Sequence, residues 1–188
     1  MSTEVTFLRH AQGWHNVVSN DYNGDFANDP LFRDAELTPA GLEQCAARRD
    51  EFSKMDFDVI YCSPMRRCRQ TLLGVYPKAD ELNVYVDDRL IEQPTGTCSC
   101  NHRLERDEMT CSKKWDLSGV SLVNPFNTVC DVNDKRKISS FTEMIKEKHK
   151  GKKVLVVSHG TWIYRWTEMY SINVVVLKNC AYARANIV

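Results

Sequence analysis

No stretch of this 188-residue chain stays apolar for the ~18 residues that a membrane-spanning helix needs. The opening Met1-Ser2-Thr3-Glu4 carries no basic region leading into an apolar one, so no signal peptide is expected there. Neither sign of charge is in excess, because 25 Lys and Arg face 25 Asp and Glu. That balance argues against a nucleic-acid or membrane-surface partner. There is no internal repeat and no low-complexity tract. None of the eight cysteines forms a C-x-x-C pair, which weakens any zinc reading.

What remains is an ordinary globular composition, 43% hydrophobic and 27% charged, long enough to bury one substantial core. One domain over residues 1–188 is expected. The cysteines read as free thiols of a reducing compartment, hence a cytoplasmic setting. A zinc site on Cys98, Cys100, His102 and Cys111 is the competing reading, and free loop cysteines are preferred to it.

Val5–Leu8 is a short apolar run that ends abruptly in Arg9-His10, and it predicts a buried strand. Residues 11–37 are rich in Asn, Asp and Gly and predict a long irregular segment. Thr38-Pro39 opens a helix, with Thr38 as N-cap and Pro39 at the first helical position. Leu42, Cys45, Ala46 and Phe52 are its expected apolar face. Asp58–Cys62 predicts a second strand, Arg67–Val75 a second helix and Val84–Val86 a third strand. Residues 88–135 read as irregular apart from a helix near Leu104–Lys114. A helix capped by Ser139 or Ser140 runs to about Lys148 with Phe141 and Ile145 inward. Lys153–Val157 is the clearest strand, followed by Ser158-His159-Gly160 and a helix over Thr161–Met169. Val174–Leu177 and Ala183–Val188 are candidate last strands.

Strands alternate with helices, and the best strands are continuous apolar runs. That pattern predicts a three-layer α/β/α fold with a mainly parallel central sheet. Sites in such sheets lie beyond the carboxyl ends of the strands. Arg9-His10, Ser63–Arg67 and His159 all sit at such ends. Two histidines and two arginines converging on one edge suit phosphate chemistry. Guanidinium forks match phosphate oxygens, and a neutral imidazole is a competent nucleophile.

The stretches FLRHAQGWHN, LTPAGLEQC, VIYCSPMRRCRQT and VLVVSHG together resemble the histidine phosphatase superfamily, also called phosphoglycerate mutase-like. The resemblance runs from near residue 4 to about 165. It implies His10 as the phosphoryl-accepting nucleophile. Arg9, Arg67 and His159 would hold the phosphoryl oxygens, and Asn16 would add a hydrogen bond. Glu92 would be the proton donor, chosen over Asp87, Asp88, Glu105 and Glu108. The segments TGTCSCNHRLER and WDLSGV resemble a plant and fungal branch of phosphoglycerate mutase-like proteins. Ala11 stands where the family usually has Gly. Gln12-Gly13-Trp14-His15 lacks the Glu-Ser pair of true mutases, and the chain is shorter than a typical mutase. Hydrolysis to water is therefore favoured over transfer back to substrate.

The resemblance thus implies a metal-independent, cofactor-free phosphomonoesterase of histidine acid type, acting on a small phosphorylated substrate. A phosphoglycerate-mutase-type phosphotransferase and a catalytically weak phospholigand-binding module are the alternatives. Arg66 and Arg69 lie on other helix faces than Arg67, where exposure is the usual fate. His15 is left open between the site and loop packing, and Trp14 reads as packing. His102 reads as an exposed loop residue, and His149, in KEKHKGKK, as part of a solvated basic stretch.

Overall fold

The computed structural model describes residues 2–21, 29, 32–92, 99–109, 111–122, 135–170 and 173–188. Cys98 of the zinc reading and Cys130 lie outside them. Six strands form one sheet: β1 (Thr3–Arg9), β2 (Val59–Cys62), β3 (Val84–Asp87), β4 (Asp116–Gly119), β5 (Lys153–Ser158) and β6 (Tyr182–Ile187). Their spatial order is β4-β3-β2-β5-β1-β6. Every pairing is parallel except β1 with β6, which is antiparallel.

The central strand explains the layering. In β5, Leu155 and Val157 join one apolar cluster while Val154 and Val156 join another. Alternate side chains leave a strand on opposite faces, so an unbroken apolar run needs cover on both. Helices α2 (Pro39–Ser53) and α3 (Arg66–Val75) contribute Cys45, Phe52, Cys68 and Leu72 to the first cluster. Helices α4 (Arg136–Lys148) and α5 (Gly160–Tyr170) contribute Ile138, Phe141, Trp162 and Trp166 to the second. Phe7 of β1 packs on Trp166 with ring centroids 4.4 Å apart.

Helix α2 starts as its sequence predicts. The Thr38 side chain accepts a hydrogen bond from the Gly41 amide, and Pro39 follows. Gly41 is needed for contact, since a Cβ there would lie 2.2 Å from the Gln12 carbonyl oxygen. The buried line is Gly41, Cys45 and Phe52; Leu42 and Ala46 face solvent, contrary to expectation, because each lies one position further around the helix.

Four further expectations are corrected. Residues 11–37 are not wholly irregular, since α1 spans Trp14–Asp21. Among the described residues of 104–114 the helical structure is a short 3-10 turn, Arg106–Glu108, closed by a reciprocal Glu105–Glu108 cap. Val174–Leu177 pairs with no strand; β6 occupies that edge of β1, and the Leu177 carbonyl accepts from Arg9 instead. Helix α4 begins at Arg136, ahead of the expected serine cap, and its N-cap Lys135 makes no side-chain capping bond.

Candidate active site

Strands β1, β2 and β5 deliver their carboxyl ends to one place. The His10 amide donates to the Ser158 carbonyl at 3.0 Å and so extends the β1–β5 ladder past Arg9. On the other side, the Cys180 amide and the Asn179 side-chain amide both donate to the His10 carbonyl, each at 3.2 Å. The backbone of His10 is therefore fixed from both neighbours.

His10 Nδ1 lies 2.7 Å from the Ala11 carbonyl oxygen. A carbonyl only accepts, so Nδ1 carries the proton and Nε2 keeps its lone pair. Burial pushes the His10 pKa well down, and Arg67 and Arg9 push in the same direction. Neutral His10 with a free Nε2 lone pair is the nucleophilic form. Ala11 sits in place of the usual Gly without strain, since it is absent from the left-handed residues, and its amide donates to Thr71 Oγ1 at 2.9 Å.

His159, fully buried, follows the last residue of β5, and its ring centroid lies 5.2 Å from that of His10. Arg67 Nη2 lies 3.2 Å from His159 Nδ1, and Ser63 Oγ lies 2.9 Å from Nε2. A guanidinium only donates, so Nδ1 accepts and Nε2–H donates to Ser63. His159 is neutral too, held down by burial first and then by Arg67, His10, His15 and Arg9.

Of the three neighbouring arginines, only Arg67 reaches this cluster. Its Nη1 donates to the Cys100 carbonyl at 2.8 Å and its Nη2 to Asn101 Oδ1 at 3.1 Å. Its Nε is buried without a partner. Arg66 is exposed and pairs with Glu36 at 2.7 Å. Arg69 corrects the expectation of exposure: it is buried, donates to the Pro64 carbonyl at 3.0 Å and faces Asp34 at 3.6 Å.

Arg9 Nη1 donates to the Leu177 carbonyl at 2.6 Å, and its Nε is again buried without a partner. Its guanidinium lies close to Gly160, where a Cβ would come within 3.1 Å of Cζ and Nε. The Gly of Ser-His-Gly thus makes room for Arg9. Glu92 shares a cleft with Arg9. Its carboxylate accepts from the Thr161 amide at 3.2 Å and the Trp162 amide at 3.0 Å, at the positive N-terminus of α5. The competing carboxylates are engaged elsewhere: Asp87 with Arg89, Asp88 with Arg103, Glu105 with Arg33 and with Glu108 in the turn cap.

His15, which the sequence left open, belongs to the cluster. Its ring centroid is 5.3 Å from that of His10, and its Nδ1 is buried without a partner. Burial, followed by Arg67, His10 and Arg9, drives its pKa far down. Asn16 Oδ1 accepts from the Gly13 amide at 3.0 Å and from the Asn179 amide at 3.3 Å, linking α1 to the segment that holds His10. Trp14 is exposed rather than packed inside.

Sequence reasoning named Cys100 only for zinc and missed its carbonyl contact to Arg67, along with Asn101, Asn179 and the contact made by Ser63. The first three lie in segments without periodicity, and no spacing signal marks them. Two other histidines differ from expectation. His149 is buried, with Nε2 2.9 Å from the Tyr61 hydroxyl, because its ring turns back from the end of α4 onto β2. His102 is half-buried beside Arg33. Among the described residues no three His, Cys, Asp or Glu side chains are grouped to hold a metal ion. Cys45, Cys62, Cys68, Cys111 and Cys180 form no disulfide. No helix among the described residues is long and apolar enough to cross a membrane.

This arrangement places two guanidiniums and buried neutral imidazoles together at one edge of the sheet. Residues 5–169 match the histidine phosphatase superfamily (branch 1). The chain belongs to that superfamily. It is 28% identical over 166 residues to phosphoserine phosphatase 1 of Hydrogenobacter thermophilus, covering 83% of this chain and 70% of that one. Solved structures share the fold. The ecdysone phosphate phosphatase from the silkworm Bombix mori, in complex with tungstate, superposes with a TM-score of 0.65 at 14% identity, over 97% of this chain and 88% of that one. Phosphoserine phosphatase from Entamoeba histolytica, in complex with 3-phosphoglyceric acid, superposes with a TM-score of 0.59 at 20% identity, over 97% and 89%.

Proposed function

We propose that this protein hydrolyses phosphomonoesters of small molecules through a phosphohistidine on His10. One observation carries the reading: the Nε2 lone pair of a buried, neutral His10 lies among two guanidiniums whose Nε–H groups are buried and unpartnered. Unpartnered buried donors are costly and uncommon. A phosphoryl group bound there would satisfy both.

In the first step, His10 Nε2 attacks phosphorus and the P–O bond to the alcohol breaks. Glu92 supplies the proton to the departing oxygen. Arg9 and Arg67 neutralise charge on the phosphoryl oxygens, which is most of what phosphoryl transfer requires. His159, held by Ser63, fixes the Arg67 fork, and Asn16 supports the loop beside it. In the second step, Glu92 takes a proton from water as it attacks the phosphohistidine. Inorganic phosphate leaves and His10 returns to its neutral form. The positive charge comes from side chains, which supports metal independence.

Similarity to a protein named phosphoserine phosphatase supports hydrolysis of a phosphomonoester. The absence of a Glu-Ser pair after Ala11 also favours hydrolysis over mutase chemistry. The test is phosphate release from a panel of phosphomonoesters in the presence of a chelator, beside His10→Ala. Release that requires His10 and survives chelation supports the reading; full activity in His10→Ala removes it.

A further inference from the structure

A cleft of about 250 Å³ opens beside Arg9 and Glu92, and its remaining wall includes Thr161, Tyr164, Val176 and Leu177. Two of the candidate catalytic residues, Arg9 and Glu92, line it, which makes it a seat for the alcohol of an ester bound at His10. Its volume falls just under the ~300–1,000 Å³ of pockets for drug-sized ligands, which suits a body of one ring or a short chain. From this cleft we infer that the protein prefers phosphate esters of small uncharged alcohols with an aromatic or hydrocarbon body. The inference rests on the proposed hydrolysis at His10 and adds the class of leaving group.

Charge carries the argument. 3-Phosphoglycerate brings a carboxylate with the alcohol, and phosphoserine brings a carboxylate and an ammonium, both of which are costly to move from water to an apolar wall. A carboxylate placed in this cleft needs a cation of its own. Arg9 is committed to the Leu177 carbonyl and to the phosphoryl group it flanks. Glu92, the proposed proton donor held on the amides of α5, supplies no positive charge. No other Lys, Arg or His lines the cleft among the described residues. The segments outside the described residues contain no Lys, Arg or His at all, so they cannot add one. Lys178 follows Leu177 in the chain but is exposed and outside the lining.

The aliphatic and aromatic side chains offer the opposite environment. Val176 is 78% exposed and Leu177 is buried, so an apolar body entering the cleft would cover Val176. Tyr164 supplies a ring from α5. Each apolar contact of that kind favours an uncharged body over water.

The experiment compares kcat/KM for benzyl phosphate, phosphoserine and 3-phosphoglycerate, three esters of aliphatic alcohols. Benzyl phosphate is expected to be turned over at least about tenfold more efficiently than either acid, the scale on which apolar pockets discriminate. Val176→Lys places a cation at an exposed position. It is expected to raise kcat/KM for 3-phosphoglycerate about tenfold and to lower that for benzyl phosphate. Lys178→Ala should leave the ratios unchanged. Equal or faster His10-dependent turnover of either acid by the wild type would overturn this inference while leaving hydrolysis at His10 standing. A loss of acid turnover in Lys178→Ala would overturn it as well. Turnover of none of the three esters would remove both.

Discussion

Arg67 and Arg103 are the two most deeply buried arginines of this protein, and they are buried in different ways. Arg103, in the middle segment, meets Asp88 at 3.0 Å and donates to the carbonyls of Leu104 and Ser121 at 2.8 and 2.7 Å. Arg67, at the sheet edge, has no carboxylate partner among the described residues; its fork reaches a carbonyl, an amide oxygen and an imidazole, and its Nε has nothing. A buried cation without a counter-charge is costly, whereas a paired one is tolerated. Arg103 therefore closes its own charge and pins the middle segment, while on the proposed mechanism Arg67 meets its counter-charge in the substrate's phosphoryl group.

Substituting both arginines separates these roles most sharply. Arg67→Ala should cut kcat/KM for a phosphomonoester by about 10²–10³ with little loss of stability. Arg103→Ala should instead destabilise the fold by about 3–5 kcal/mol, because it leaves Asp88 without its partner. Denaturant titration and steady-state rates on the same two variants check this, and the comparison breaks if the two effects exchange places.

The next effect concerns pH. His10, His15 and His159 all have folded pKa values driven below that of an exposed histidine by burial, with Arg67 next. The unfolded chain then binds more protons than the folded one below about pH 6.5, so stability rises with pH there and is lost as pH falls. Each such group contributes up to about 1.4 kcal/mol per pH unit in that window. Stability measured from pH 7 to pH 5 should fall steeply, and His15→Asn should flatten the slope.

A smaller effect tests the Arg9 side. Gly160→Ala should displace the guanidinium and lower kcat/KM by about 10²-fold at most, with the fold retained. Asn101→Ala, removing one bond to Arg67, should cost about tenfold in kcat/KM, or roughly 1.4 kcal/mol.

The sequence showed the sheet edge more clearly than what supports it. The runs that end in Arg9-His10, Cys62-Ser63 and Ser158-His159 are continuous and apolar, which is the mark of strands buried on both faces, and the residues just beyond them meet in space. Thr38-Pro39 likewise marks the start of α2 by cap chemistry. Arg67 could be separated from Arg66 and Arg69 by motif spacing, but the burial of Arg69 came from Asp34, a residue of a loop with a positive φ. Cys100 and Asn101 hold Arg67 from a segment with no period to read. Strand β4 has only half-buried and exposed residues at the sheet margin, so it lacks an apolar signature. His149 looked solvated because lysines surround it in sequence, yet its ring turns inward to Tyr61. Local composition reports the neighbours in the chain, and these misses were all decided by neighbours in space.

The most direct test of the central claim is to quench the enzyme during turnover of a phosphomonoester and locate any protein-bound phosphoryl group by mass spectrometry at neutral to alkaline pH. The account predicts an acid-labile phosphoryl group on His10, absent in His10→Ala and longer-lived in Glu92→Gln. Continued turnover with no phosphoryl group on His10, or with one on another residue, would contradict it.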